Sequence, residues 1–312
     1  MKKLHSNGYS LIQTNNTLYF ASISEKGNQT IYFKYDGEHV EEISKDAYVK
    51  SNFGKKWKKV FSQLSNSNFS SIESIAKCWI NEDGESKLIS LIQYYTEKFG
   101  DDWESNGEFK LIPKNLFSEV TNFMTNTIQN ETICLLWPHD IILHFNEQDE
   151  LVQYILLDSN DYCDTLYQIC SDGQSVWGVS PTMNAVVKYT FPSFKIEKIY
   201  HYTTDGDDTS KESELNDKVE VIVSNSEIAG LNYPEYISYI DGQLYICDMA
   251  NERIVTFNPI NGEITPYIYL NVKPFEFLKW KNQFVIRSDT GIYLLDTGIY
   301  LLDTNEKNGN FE

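Results

Sequence analysis

Five histidines punctuate the chain, at His5, His39, His139, His144 and His201. His139 and His144 lie five residues apart across the start of a strand-like run, so their side chains fall on opposite faces and do not share a metal. The spacing also fails the helical HExxH arrangement. Both are read as surface or turn histidines. An acidic run from Asp205 carries Asp207, Asp208, Glu212 and Glu214. As a calcium loop it has Ser210 where the sixth position needs glycine and Asn216 where the twelfth needs glutamate. It is read as a solvated charge run, with no metal and no cofactor assigned. Nucleophilic catalysis leaves no local signature: GxSxG is absent, and no cysteine stands near a histidine. Gly54-Lys55-Lys56 lacks the upstream glycine of a phosphate-binding loop. A site assembled from distant strands leaves no such mark, so a hydrolase working in the interior stays open.

Two short clusters point outward instead. Lys55-Lys56-Trp57-Lys58-Lys59 has the basic and aromatic elements of a nucleic-acid contact, yet it sits in a chain of net charge −19. A polyanion is repelled by that balance, so nucleic acid is not expected as a partner. Asp101-Asp102-Trp103-Glu104 sets an aromatic among carboxylates, an arrangement that anchors a basic protein while its charges steer the encounter. Trp103 equally suits the inside of a small packed segment.

The elements that must position these residues are clearest between Leu231 and Ile268. Ile237, Tyr239, Leu244, Ile246, Ile254 and Thr256 alternate in short runs, the period of half-buried strands. Asp241-Gly242 and Asn261-Gly262 fall between runs, where tight turns need positive φ. Pro234, Asp241-Gly242, Leu244-Tyr245-Ile246, Asp248, Asn251 and Arg253-Ile254 together resemble the NHL-type β-propeller repeat. The resemblance implies a ring of four-stranded blades. It also implies that Asp248, Asn251 and Arg253 tie neighbouring strands and blades together rather than catalyse.

One blade cannot bury both faces, so others must stack on it. Segments 10–43, 129–156 and 172–199, and a last one from Lys281, overlay on the same plan. Lys281 to Ile286 lies over Asp241 to Ile246, and the following strand arrives two residues early across Asp289-Thr290-Gly291. The equivalent positions Leu18, Thr132, Val176, Leu244 and Phe284 are 114, 44, 68 and 40 residues apart. A blade occupies about 42, so two insertions follow, at about 44–118 and about 202–230. In the first, Trp57, Val60, Phe61, Leu64, Ile72, Ile75, Ala76, Trp79, Leu88, Leu91, Ile92, Tyr95 and Phe99 recur at helical spacing. This predicts a helical cap; the rival is a sixth blade over 76–112. The second reads as an acidic loop. Both follow a fourth strand and precede a first strand, so both leave from one end of the disc. TGIYLLD occurs twice in tandem, at 290–296 and 297–303. The ring is closed either by the second copy or by the residues before Tyr9, because an open sheet edge invites aggregation.

The expected fold is therefore an all-β propeller of five blades, six being the alternative, within a single domain spanning the chain. No apolar run follows Lys2-Lys3, none reaches the ~18 residues of a membrane span, and the five cysteines include no CxxC pair. These features fit a cytoplasmic chain with reduced thiols, no membrane association, and a monomer outside its complex. The functional expectation is a protein-binding module for a basic partner, in its most concrete form a bacterial immunity protein that neutralises a cationic toxin such as a nuclease. The binding residues expected are Asp101, Asp102, Trp103, Glu104, Asp205, Asp207, Asp208, Glu212 and Glu214. The alternative is a calcium-dependent lactonase-like or other hydrolase with its site in the channel.

Overall fold

Alternating runs become strands where the chain can reverse tightly. Asp241 (φ 50°) and Gly242 (φ 86°) make one reversal, and Gln129 (φ 49°) and Asn130 (φ 65°) make the equivalent one. Positive φ at both central residues gives a turn whose twist matches that of the strands it joins. The computed structural model describes residues 1–6, 8–14, 16–23, 29–45, 47–48, 76–82, 85–90, 123–136, 141–148, 151–157, 166–202, 220–223 and 230–296.

The chain begins with β1 (Lys2–His5) and then makes a first blade from β2 (Gly8–Thr14), β3 (Thr17–Ile23), β4 (Thr30–Tyr35) and β5 (Val40–Ile43). A hairpin follows, β6 (Ala76–Glu82) and β7 (Glu85–Ser90). The second blade is β8 (Phe123–Ile128), β9 (Glu131–Leu136), β10 (Ile141–Phe145) and β11 (Leu151–Leu156). The third is β12 (Gln168–Ser171), β13 (Val176–Ser180), β14 (Ala185–Tyr189) and β15 (Ile196–His201), followed by β16 (Glu220–Val223). The fourth is β17 (Pro234–Ile240), β18 (Gln243–Asp248), β19 (Arg253–Phe257) and β20 (Ile264–Tyr269). The fifth is β21 (Pro274–Trp280), β22 (Gln283–Ser288) and β23 (Gly291–Asp296), completed by β1. The molecule is an all-β propeller of five four-stranded antiparallel blades.

The ring closes through the N-terminus. β1 runs antiparallel to β23, with Lys2 opposite Leu294 and Lys3 opposite Tyr293. The first TGIYLLD copy supplies β23, while the second, 297–303, lies outside the described residues. Gly291 makes the closure sterically feasible: a Cβ there would lie 2.2 Å from the carbonyl oxygen of His5, at φ +140°. Blades five and one then share a core of Leu18, Phe20, Tyr35, Trp280, Val285 and Ile292.

The helical reading of the first insertion fails where it is tested. Ala76–Glu82 and Glu85–Ser90 are strands, and β6 pairs in parallel with β11, extending the second blade at its outer edge. These residues therefore make neither a helix nor a separate sixth blade. Strand pairing at an unfilled edge overrides the local spacing of apolar residues. One helical turn does begin where the insertion starts, with Ser44 Oγ accepting from the Ala47 N–H at 3.2 Å. The second insertion behaves like the first, since β16 runs parallel to β15 on the rim of the third blade. The remainder of both insertions lies outside the described residues.

Side chains from adjacent blades interdigitate. Trp177 and Tyr200 of the third blade meet Phe257 of the fourth at ring-centroid distances of 5.9 and 4.9 Å. Cys247 and Ile254 of the fourth pack on Phe277 and Phe284 of the fifth. Cys134, Cys170 and Cys247 are buried and form no disulfide, with burial pushing the thiols of Cys170 and Cys247 well up. Among the described residues no helix is long and apolar enough to cross a membrane.

Candidate functional site

Each blade brings the start of its first strand, the end of its second, the start of its third and the end of its fourth to one end of the disc. In the fourth blade Pro234 stands opposite Asp248, Asp248 opposite Arg253, and Arg253 opposite Tyr269. The insertions at 44–118 and 202–230 leave from this end. The hairpin turns between first and second strands mark the other end.

At the end where the fourth strands finish, Asp248, Asn251 and Arg253 form a buried lock. Asp248 is 0% exposed and Arg253 3%. Arg253 Nε donates to Asp248 Oδ2 at 2.5 Å, and Asn251 Nδ2 donates to the same oxygen at 2.8 Å. Arg253 Nη2 and Asn251 Nδ2 both reach the carbonyl of Gly230, at 3.2 and 3.0 Å, while Asp248 Oδ1 accepts from the Asn232 N–H at 2.7 Å. Their role is structural: they grip the point where segment 202–230 rejoins the blade. Its other foot, Tyr202, is buried and donates to the carbonyl of Gly262 at 2.6 Å.

A second constellation crosses the ring and has no local sequence motif. Gln168, Tyr236 and Glu276 occupy the same position on β12, β17 and β21, opposite Val179, Cys247 and Arg287. Gln168 hydrogen-bonds to the Tyr236 hydroxyl, whose pKa is raised chiefly by burial and further by Glu276. Glu276 Oε2 accepts from the Leu11 N–H at 2.8 Å, which links the fifth blade to the first. Its Oε1 lies 2.9 Å from Arg287 Nε, whose N–H points off that line, making this an ion pair rather than a hydrogen bond. Beside them stands Glu235, the residue by which β17 bulges. Burial pushes the Glu235 carboxyl up to about 7; Arg287 pulls it down and Glu276 pushes it up.

Gln168 and Tyr236 of this belt also line a central channel of about 530 Å³. Gln13, Asn126, Gln168, Ser238 and Lys279 line it, one from each of the five innermost strands. Asn126 Nδ2 donates to the Ile169 carbonyl at 2.8 Å, joining the second and third blades. Asp241, Lys279 and Lys281 stand at the mouth among the turns, with Lys279 paired to Asp241. The channel opens at the end opposite the one where the fourth strands of the blades finish.

All nine residues expected to bind a partner lie outside the described residues: Asp101, Asp102, Trp103, Glu104, Asp205, Asp207, Asp208, Glu212 and Glu214. The same holds for His139 and for Lys55 to Lys59. His144 requires a correction. It is 3% exposed, not on the surface, because blade-to-blade packing covers its face with the rings of Phe191 and Phe194. Its Nε2 pairs with Glu131, and its Nδ1 lies 3.0 Å from Gln153 Nε2. No group of three or more His, Cys, Asp or Glu side chains close enough to hold a metal occurs among the described residues. The polar column Gln168, Tyr236, Glu276 was recoverable only by overlaying the first strands of the blades and reading across them.

No protein-family model matches the chain, and no characterised protein matches it in sequence. Solved structures similar to it are propellers at low identity. A catalytically inactive virginiamycin B lyase from Staphylococcus aureus with quinupristin shares 10% identity at a TM-score of 0.44, over 92% of this chain and 79% of that one. A streptogramin B lyase shares 12% at 0.42, over 96% and 85%. Glutaminyl cyclase from Myxococcus xanthus shares 9% at 0.34, over 52% of this chain and 59% of its own. The likeness is to the propeller fold and carries no activity with it.

Proposed function

We propose that this chain is an NHL-type propeller acting as a cytoplasmic protein-binding module, which captures a basic partner at the end of the disc where segments 44–118 and 202–230 leave the blades. In its most concrete form it is a bacterial immunity protein that neutralises a cationic toxin, such as a nuclease, by covering its active cleft. The observation that carries this reading is the lock at the foot of segment 202–230. Asp248, Asn251 and Arg253 fix the return of a segment holding eight acidic residues against two lysines. A fully satisfied buried polar network is rigid, so the base of the segment is held in place. Charge at that density speeds encounter with a cationic surface, and the net charge of −19 repels polyanions.

The test is a pull-down from the native host with wild type and with a variant in which Asp205, Asp207 and Asp208 become Asn and Glu212 and Glu214 become Gln. Wild type should retain a basic protein at low salt and release it as ionic strength rises. The variant should associate with that protein about tenfold more slowly. An unchanged association rate in the variant, or captured proteins that are not basic, overturns the reading. Co-expression should also relieve any toxicity of the captured protein; continued toxicity removes the immunity role.

A further inference from the structure

We propose that the second TGIYLLD copy, residues 297–303, is an alternative fourth strand for the fifth blade, and that β1 is a displaceable latch rather than a fixed part of the ring. This edge belongs to the fifth blade and plays no part in the partner capture proposed above.

The slot that β1 fills is set by the register of β22 and β23. Ser288 pairs with Gly291 across Asp289-Thr290, and Ile286 then stands opposite Tyr293. The same three turn residues recur after Leu295 as Asp296-Thr297-Gly298. A second reversal of that kind across Asp296-Thr297 sets Leu295 opposite Gly298. It then sets Leu294 opposite Ile299, Tyr293 opposite Tyr300 and Ile292 opposite Leu301. Those are the places where β1 sets Lys2 against Leu294, Lys3 against Tyr293 and His5 against Ile292. The copy would run in the same direction as β1 and needs no bulge, whereas β1 slips register between Lys3 and His5. Gly291, which meets the His5 carbonyl oxygen, leaves room for a neighbouring backbone whichever strand supplies it.

Side-chain chemistry makes the two strands rivals. Directly opposed residues share a face, and Ile292 and Leu294 belong to the core between blades five and one. On that face β1 places Lys2, which is exposed, and His5, which is half-buried. The His5 ring lies 5.2 Å from that of Phe20 and 4.7 Å from that of Phe33, and its Nδ1 is buried without a hydrogen-bond partner. A buried nitrogen left unmet weakens the strand that carries it. The copy would bring Ile299 and Leu301 to the same face, apolar against apolar. Its own weakness is the turn. Ser288 Oγ accepts from the Thr290 N–H at 3.2 Å, and Leu295 stands at the corresponding place in the second reversal. The better apolar face therefore sits on the strand with the poorer turn, which keeps the two occupants exchangeable.

The experiment uses four full-length chains. These are wild type, a latch variant with Lys3→Pro and His5→Pro, a copy variant with Ile299→Lys and Leu301→Lys, and the combination of all four substitutions. Proline removes strand donors from β1, and the lysines remove the apolar face of the copy. In the latch variant, amide exchange at Ile299 to Leu301 should slow about tenfold or more relative to wild type, as the copy takes the edge. The copy variant should keep the wild-type urea midpoint, because β1 holds the edge. The combination should lose more than the two separate losses summed. The latch variant should sediment as a monomer. Equally fast exchange at 299–301 in wild type and latch variant overturns the proposal, as do additive losses or a latch variant that does not fold. So does full protection of 299–301 in wild type beside a protected β1, or a dimeric latch variant, which gives the strand to a second copy of the chain.

Discussion

The fourth and fifth blades carry the same backbone forty residues apart, and they hold it with different chemistry. Pro234 and Pro274 open equivalent bulged strands, and Asp241 and Lys281 sit at φ 50° and 53° in equivalent turns. At the far end of the second strand the blades part. The fourth has Asp248 opposite Arg253, a buried ion pair gripping the incoming chain. The fifth has Ser288 opposite Gly291, joined by a turn two residues shorter, and makes room there for β1. Tyr236 of the fourth blade is replaced by Glu276 of the fifth, and Cys247 by Arg287. Turn geometry and apolar alternation therefore specify the blade, while the polar positions record what each blade must hold.

The comparison breaks most severely at the lock. Asp248→Ala leaves Arg253 charged and buried, and urea unfolding should show a loss of about 3–5 kcal/mol. Ser288→Ala, at the equivalent place, removes only local bonds to Thr290 and Gly291 and should lose about 1 kcal/mol. Equal losses at the two sites would mean that the ion pair is not what distinguishes the blades.

Gly291→Ala should come next, at about 2 kcal/mol or more, because its Cβ would collide with the His5 backbone. Amide exchange should then accelerate at Lys2 to His5. Gly242→Ala faces open space and should cost about 1 kcal/mol, the backbone strain alone. If exchange in β1 is unaffected by Gly291→Ala, the glycine is not needed for closure.

A separate effect should appear in pH dependence. Folded Glu235 keeps its proton to about 7, whereas an unperturbed glutamate releases it at 4.5. The folded state binds more protons between those values, so stability falls as pH rises through that window and is flat with respect to this group above it. Glu235→Gln should remove that slope, read from urea midpoints across the window. A slope that survives the substitution assigns it to another group. Tyr236→Phe removes the hydroxyl that Gln168 meets and should cost about 1 kcal/mol in thermal unfolding, as little as Ser288→Ala or Gly242→Ala.

Much of the scaffold was legible because it is local and repeated. The turns at Asp241-Gly242 and Asn261-Gly262, the overlay of Lys281–Ile286 on Asp241–Ile246, and the early arrival of the last strand all follow from neighbouring residues. The cost of a bare edge called for closure by the second TGIYLLD copy or by the residues before Tyr9, and β1 is the strand that pairs with β23. The strands β6 and β7 were legible only through the rival sixth-blade reading of 76–112, and their place was not, since it is decided by pairing with β11, more than sixty residues downstream. His144 was misplaced because its burial depends on Phe191 and Phe194 from another blade. A channel was expected, but not its lining: Gln13, Asn126, Gln168, Ser238 and Lys279 come one to a strand, and only the ring makes them neighbours.

The strand that completes the fifth blade has a temporal consequence. Lys2 to His5 leave the ribosome long before their partners at Ile292 to Leu294, with every other blade made in between. Throughout that interval the leading segment travels unpaired beside blades already able to pack, and the ring stays notched until β23 emerges. A nascent chain stalled anywhere before Gly291 would display that notch to its neighbours, so the speed of translation through the fifth blade governs how long the molecule is vulnerable.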